Sequence, residues 1–133
     1  MKIIDISWPI SPNMTTYKNR KDVSITKIKS LPQDCVSEST LVMHSHTGSH
    51  VDAPAHFIEQ GKTIDQIPLE QLCGSCIVID LTHVTESIKE EDLKIHEPFL
   101  RSHKIVLLKT TNSFCKATEE FNSNFIFLEK SIH

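Results

Sequence analysis

Glycine is scarce: a chain of 133 residues holds three, at Gly48, Gly61 and Gly74. Loops that cradle phosphate need several glycines close together, so that class of nucleotide site is excluded. Charge of either sign is also unremarkable, with 14 Lys and Arg against 17 Asp and Glu and a net charge of −3. Without a basic excess or patch, nucleic acid is not an expected partner. Long apolar runs are missing, including across Met1–Asp5. Neither a signal peptide nor a membrane span is expected, which predicts a cytoplasmic protein. Four cysteines, Cys35, Cys73, Cys76 and Cys115, are then expected to be free thiols. Cys73-Gly-Ser-Cys76 has C-x-x-C spacing, but no second such pair and no βαβ context accompany it. Cys76 is better read as a small hydrophobe opening an apolar strand.

Histidine is what the chain has in plenty. Eight are present, and His44, His46, His50 and His56 fall within thirteen residues. Residues 46–56 read His-Thr-Gly-Ser-His-Val-Asp-Ala-Pro-Ala-His. Imidazole nitrogen and carboxylate oxygen are the donors that zinc, manganese and non-haem iron take. Gly48, Val51 and Pro54 argue against a helix here and for a strand ending in a tight turn. His50 and Asp52 are two apart, so extended backbone aims both the same way. His46 joins them if the Gly48 turn folds back, since glycine permits the required positive φ. Three protein donors leave a coordination position open, as a catalytic metal needs. His56, beyond Pro54, is a candidate proton-transfer group. His44 reads as a neighbour of the site or a surface residue.

Elsewhere, alternation predicts strands over 2–7 and 23–28, and a β-rich segment over 37–44 leads into the histidine turn. Residues 61–72 suggest short helical turns broken at Pro68. Near-continuous apolar runs at 76–81 and 105–108 predict strands buried on both faces. Residues 86–95 fit a short surface helix, and 114–132 are poorly periodic. A chain of this length without repeats or low-complexity linkers predicts one domain over 1–133, of α/β class with a mixed sheet.

The segment from His46 to Phe57 resembles the signature of the Putative cyclase family of metal-dependent hydrolases, which includes bacterial kynurenine formamidase and isatin hydrolase. Ser49 stands where the family usually has Thr. Asp5-Ile-Ser-Trp-Pro-Ile10 resembles the family's opening strand and turn, and residues 76–81 and 104–110 resemble two of its core strands. The resemblance implies a swivelling β/β/α domain in which His46, His50 and Asp52 are metal ligands. It implies a proton donor and acceptor in His56, and a substrate-lining aromatic in Tyr17. Family members are longer and draw a further His and a Glu from their second half. Glu119, Glu120, Glu129 and His133 lack that context, so the resemblance implies a domain shortened at its C-terminus.

The expectation is therefore a metal-dependent hydrolase of a small amide or cyclic amide, with a divalent ion, zinc ahead of manganese. The alternative is a shortened, catalytically impaired metal-binding or interaction module. Two strands needing cover on both faces predict a homodimer or higher assembly, with Trp8 or Tyr17 near the subunit boundary.

Overall fold

The structure, a computed structural model, describes residues 3–130. Two compact units divide the chain: residues up to Asp52 together with Lys116–Phe121, and Ala53–Cys115 together with the segment from Asn122 onward.

The first unit is built from loops and one hairpin. Strand β1 (Ser24–Lys29) pairs antiparallel with β2 (Glu38–Val42), with an irregularity between Lys27 and Lys29. Lys29 and Glu38 close the hairpin through a 2.8 Å ion pair. Every residue of both strands is exposed, Ile28 and Leu41 included. The buried apolar residues here are Met14 and Val23. The strand expected over 2–7 does not form at 3–7, and Lys2 lies outside the described residues. Asp5 instead accepts hydrogen bonds from the Ser7 amide (2.9 Å) and hydroxyl (2.6 Å). A short side chain bonding its own backbone two residues on competes with strand pairing. The Ser7 hydroxyl and amide hold the Asp5 carboxyl below its ordinary range.

The second unit holds the larger core. Strand β3 (Cys76–Asp80) runs parallel to β5 (Ile105–Lys109), in register from Cys76 opposite Ile105 to Asp80 opposite Lys109. Between them come β4 (Ser87–Ile88) and two short helices, α1 (Glu90–Lys94) and α2 (Glu97–Ser102). Strand β6 (Phe127–Leu128) lies parallel to β4. Ile79, Leu81, Val84, Ile88 and Ile126 form the core, with Leu93, Leu100, Val106 and Leu108 packed against it. The Asn112 amide spans to Ile126, accepting from its N–H and donating to its carbonyl. Short turns at Ile64–Gln66 and Leu69–Leu72 flank Pro68, as the sequence predicts.

The sheet departs from expectation in two ways. Among the described residues three two-stranded pairs form, one antiparallel and two parallel, rather than one mixed sheet. Strands β3 and β5 are covered on one face only. Ile77 and Ile79 point inward while Cys76, Val78 and Asp80 point out, and Val78 is 58% exposed. The period of two along a strand turns alternate residues of an apolar run outward wherever only one face has a partner. Cys76 therefore lies exposed instead of packing as a hydrophobe, and the other described thiols are free. The chain also forms α2, which periodicity misses. Pro98 in its first turn and a Glu97–Arg101 ion pair at 2.7 Å were the available signals. No helix among the described residues is long and apolar enough to cross a membrane.

Candidate metal centre

The site lies wholly in the first unit and follows β2 directly. After Val42 the chain leaves the hairpin and turns, with the Thr47 amide donating to the His44 carbonyl at 3.2 Å. Gly48 then adopts φ +63°. A Cβ there would meet Ile10 Cδ1 at 2.8 Å and Met14 Cε at 3.2 Å, so the turn needs glycine for its conformation and for the close approach. Thr47 is buried, and the Ser49 hydroxyl accepts from the Trp8 amide at 3.1 Å. The Trp8–Met14 loop thus clamps the turn from its apolar side.

The fold-back brings three donors together. His46 Nδ1 lies 2.8 Å from Asp52 Oδ1 and 3.3 Å from His50 Nε2, and His50 Nε2 lies 3.4 Å from Asp52 Oδ1. The rings of His46 and His50 cross edge-on, 5.1 Å between centroids. His50 is further fixed by its other nitrogen, Nδ1, which is 2.8 Å from the Gly48 carbonyl. A carbonyl only accepts, so Nδ1 carries the proton and Nε2 presents a lone pair to the cluster. This is how metal-ligating histidines are usually held.

The donor set fits a divalent ion. Donors about 2.0–2.2 Å from a tetrahedral zinc stand roughly 3.3–3.6 Å apart, and those of an octahedral ion somewhat closer. The three separations fall near that range. Three electron-rich atoms facing one another also require a positive charge, a proton or a cation, among them. The side chains are 43%, 30% and 43% exposed, so one side stays open to water and small molecules. Among the described residues these three form the group of His, Cys, Asp or Glu side chains able to hold an ion.

Other residues singled out in the sequence go elsewhere. His44 Nε2 faces Asp22 Oδ2 at 3.9 Å, apart from the cluster. His56 belongs to the second unit, in the short turn Pro54–His56, with its ring edge-on to Phe57 at 4.1 Å. Tyr17 belongs to the first unit, half exposed, with its ring edge-on to Phe121 at 5.1 Å. Sequence reasoning passed over Lys18 and Arg20, whose charges lie 5.2 and 5.8 Å from the Tyr17 ring centroid. Their signal was two cations beside the chain's one tyrosine.

Comparison with known proteins agrees with the motif. A family model described as Putative cyclase matches residues 4–131. Kynurenine formamidase of Salinibacter ruber is 33% identical over 95 residues, which cover 70% of this chain and 45% of that protein. The kynurenine formamidase of Bacillus anthracis is 32% identical over 119 residues, covering 89% and 55%. The chain spans about half the length of the curated relatives it matches. Two solved structures share its fold. A potential metal-dependent hydrolase with cyclase activity superposes with a TM-score of 0.74 at 35% identity, covering 96% of this chain and 58% of that one. A predicted metal-dependent hydrolase from Bacillus stearothermophilus gives 0.73 at 38% identity, covering 96% and 60%. Motif, fold and family match coincide, and the chain belongs to the cyclase family.

Proposed function

We propose that the chain is a metal-dependent hydrolase of a small amide or cyclic amide, in the manner of kynurenine formamidase, with zinc as its ion and manganese as the substitute. The observation that carries this is the convergence of His46 Nδ1, His50 Nε2 and Asp52 Oδ1 on the open side of the Gly48 turn. These three residues would hold the ion, which when bound supplies Lewis acidity toward the scissile carbonyl and toward water. Gly48 orients His50 through its carbonyl, so that the lone pair points into the cluster without a search over ring flips. The His56 imidazole accepts the proton lost by the attacking water and returns one to the leaving nitrogen. Its place in the motif, four residues past Asp52, is the ground for that role. Tyr17 packs on the organic part of the substrate with the exposed part of its ring.

Elemental analysis of the purified protein, beside a panel of formamides and cyclic amides, tests the proposal. His50→Ala is expected to remove most of the bound metal. Equal metal content in the variant and the parent would defeat the ligand assignment. A chain that holds metal and cleaves none of the panel would be a binding module instead. Self-association belongs to the same reading, because the outward face with Val78 and Leu107 is apolar and open. Light scattering at low micromolar concentration is expected to give at least a dimer mass, and a clean monomer would end that part of it.

A further inference from the structure

The Cys73-Gly-Ser-Cys76 motif has no part in the hydrolase chemistry, and the fold does not bury it. Both thiols are exposed and free. Cys76 opens β3 on its outward face, with Sγ 3.7 Å from the Ile77 carbonyl. Cys73 follows the short turn Leu69–Leu72, and the backbone bends at Gly74 between the two cysteines. That bend is braced from the start of β5. The Ser75 carbonyl accepts from the Lys104 amide at 3.2 Å and from the Ile105 amide at 3.0 Å. The Lys104 stem lies over Gly74, where a Cβ would meet its Cδ at 2.6 Å, and its ammonium donates to the Glu70 carbonyl. The loop is thus pinned through Gly74 and Ser75 while the cysteines on either side stay open to solvent.

C-x-x-C is the spacing of thiol pairs that interconvert with a disulfide. The βαβ context absent from the sequence pattern is present in the fold, since the parallel strands β3 and β5 are separated in sequence by α1 and α2. The motif precedes the strand instead of opening a helix. It lacks the helix N-terminus that activates oxidoreductase thiols, so it is placed to receive oxidation and not to catalyse it. Cys76 also shares the outward face of β3 with Val78, so a second copy seated there would bring a rival thiol. Concentration decides between the two partners. Thiols this close along one chain meet at a roughly millimolar effective concentration, which favours closure within the chain about a hundredfold or more over linkage between molecules at low micromolar protein.

We propose that Cys73 and Cys76 form a reversible disulfide within the chain, made by exchange with a small-molecule disulfide such as oxidised glutathione. The thiolate of one cysteine attacks a sulfur of the small disulfide, forms a mixed disulfide and expels one small thiolate. The thiolate of the other cysteine then attacks the protein sulfur of that bond, closes the Cys73–Cys76 link and expels the second small thiolate. The protons lost by the two cysteines end on the two small thiols. The cysteine pair is oxidised by two electrons and the small disulfide is reduced by two. The pair is independent of the hydrolase reading, because neither cysteine belongs to the candidate metal cluster.

The test treats the full chain, reduced and freed of reductant, with oxidised glutathione at low micromolar protein. Intact mass, a peptide map and a denaturing gel without reductant are the readouts. Cys35→Ser with Cys115→Ser leaves the pair as the reporting thiols, and the peptide map is repeated on the parent chain. The expected product is a monomer lighter by two hydrogens, with Cys73 linked to Cys76, and dithiothreitol is expected to restore the starting mass. Adding Cys73→Ser or Cys76→Ser should stop the reaction at the mixed disulfide, one glutathione heavier. Those variants should also link into dimers roughly a hundredfold more slowly than the intact pair closes. Thiols that stay free, a mixed disulfide on the pair that never resolves, or a dimer linked through Cys76 in place of the internal bond overturns the proposal. Closure that occurs only in denaturant overturns it as well, because the folded loop would then hold the two sulfurs apart.

Discussion

The two units of this chain are held together by different physics. The second has a contiguous apolar core in which Leu81 is fully buried. The first has little apolar burial beyond Met14 and Val23, and its hairpin is exposed throughout. Its order comes from directed hydrogen bonds: Trp8 to Ser49, Thr15 to Glu119, Phe121 to Asn19, His50 to Gly48. The candidate metal cluster of His46, His50 and Asp52 belongs to the first unit. Ligand atoms must reach solvent and substrate, so a deep core cannot present them, and short-range polar bonds aim them instead. Burial is non-directional and scales with area, whereas a hydrogen bond fixes an angle and a distance.

The largest expected effect separates the two units by chemistry. His56 belongs to the second unit and the three candidate ligands to the first. His56→Ala is expected to keep its metal while turnover falls by roughly 10²–10⁴-fold. Metal content by elemental analysis and kcat on a formamide are the two measurements. Loss of metal as complete as in His50→Ala would make His56 a ligand and erase the distinction.

A smaller effect probes the core. Leu81→Ala removes a fully buried side chain and leaves a cavity, costing about 2–5 kcal/mol of folding stability. Denaturant unfolding measures that loss. In the fraction still folded, metal stoichiometry is expected to match the parent, since no residue of the cluster lies in this core. Metal lost from folded protein would mean that the apolar core and the polar turn stand or fall together.

The same contrast decides how much of the molecule could be read in the sequence. The cluster was legible because its geometry is local. His46, Gly48, His50 and Asp52 fall within seven residues, and their types alone bring the donors together. Strands β1, β2, β3 and β5 were legible from alternation and apolar runs. Their burial was not, because whether Val78 faces a neighbour or water depends on what covers the sheet, and the run Cys76–Asp80 reads the same either way. The segment 3–7 alternates like a strand but forms none, its Asp5 carboxylate bonding Ser7 instead. The two-residue strands β4 and β6 are too short for any period to register. The Tyr17 turn hid for the opposite reason: nothing local signals positive φ at Lys18 and Asn19, and residues about a hundred positions away in sequence impose it.

The smallest predicted effect lies on the surface of the second unit, where a polar bond is added to the core rather than replacing it. Asp80 and Lys109 face each other across the parallel pair β3 and β5, Nζ to Oδ2 at 2.8 Å. The Lys109 ammonium, with the Thr82 hydroxyl and amide, holds the Asp80 carboxyl far below the ordinary carboxylate range. A group whose folded pKa is depressed adds stability that is present above its unfolded pKa. That stability is lost as pH falls through the carboxylate range toward the folded pKa. Asp80→Asn should therefore lower the thermal midpoint slightly at neutral pH, and the gap from the parent should close as the medium becomes acidic. High salt should narrow it too, because the pair is solvent-exposed and screened. Melting curves of both proteins from neutral to acid pH check this. A gap that persists or widens on acidification would mean that Asp80 acts through the Thr82 turn and not through its charge. The polar ordering that governs the first unit would then operate inside the second as well.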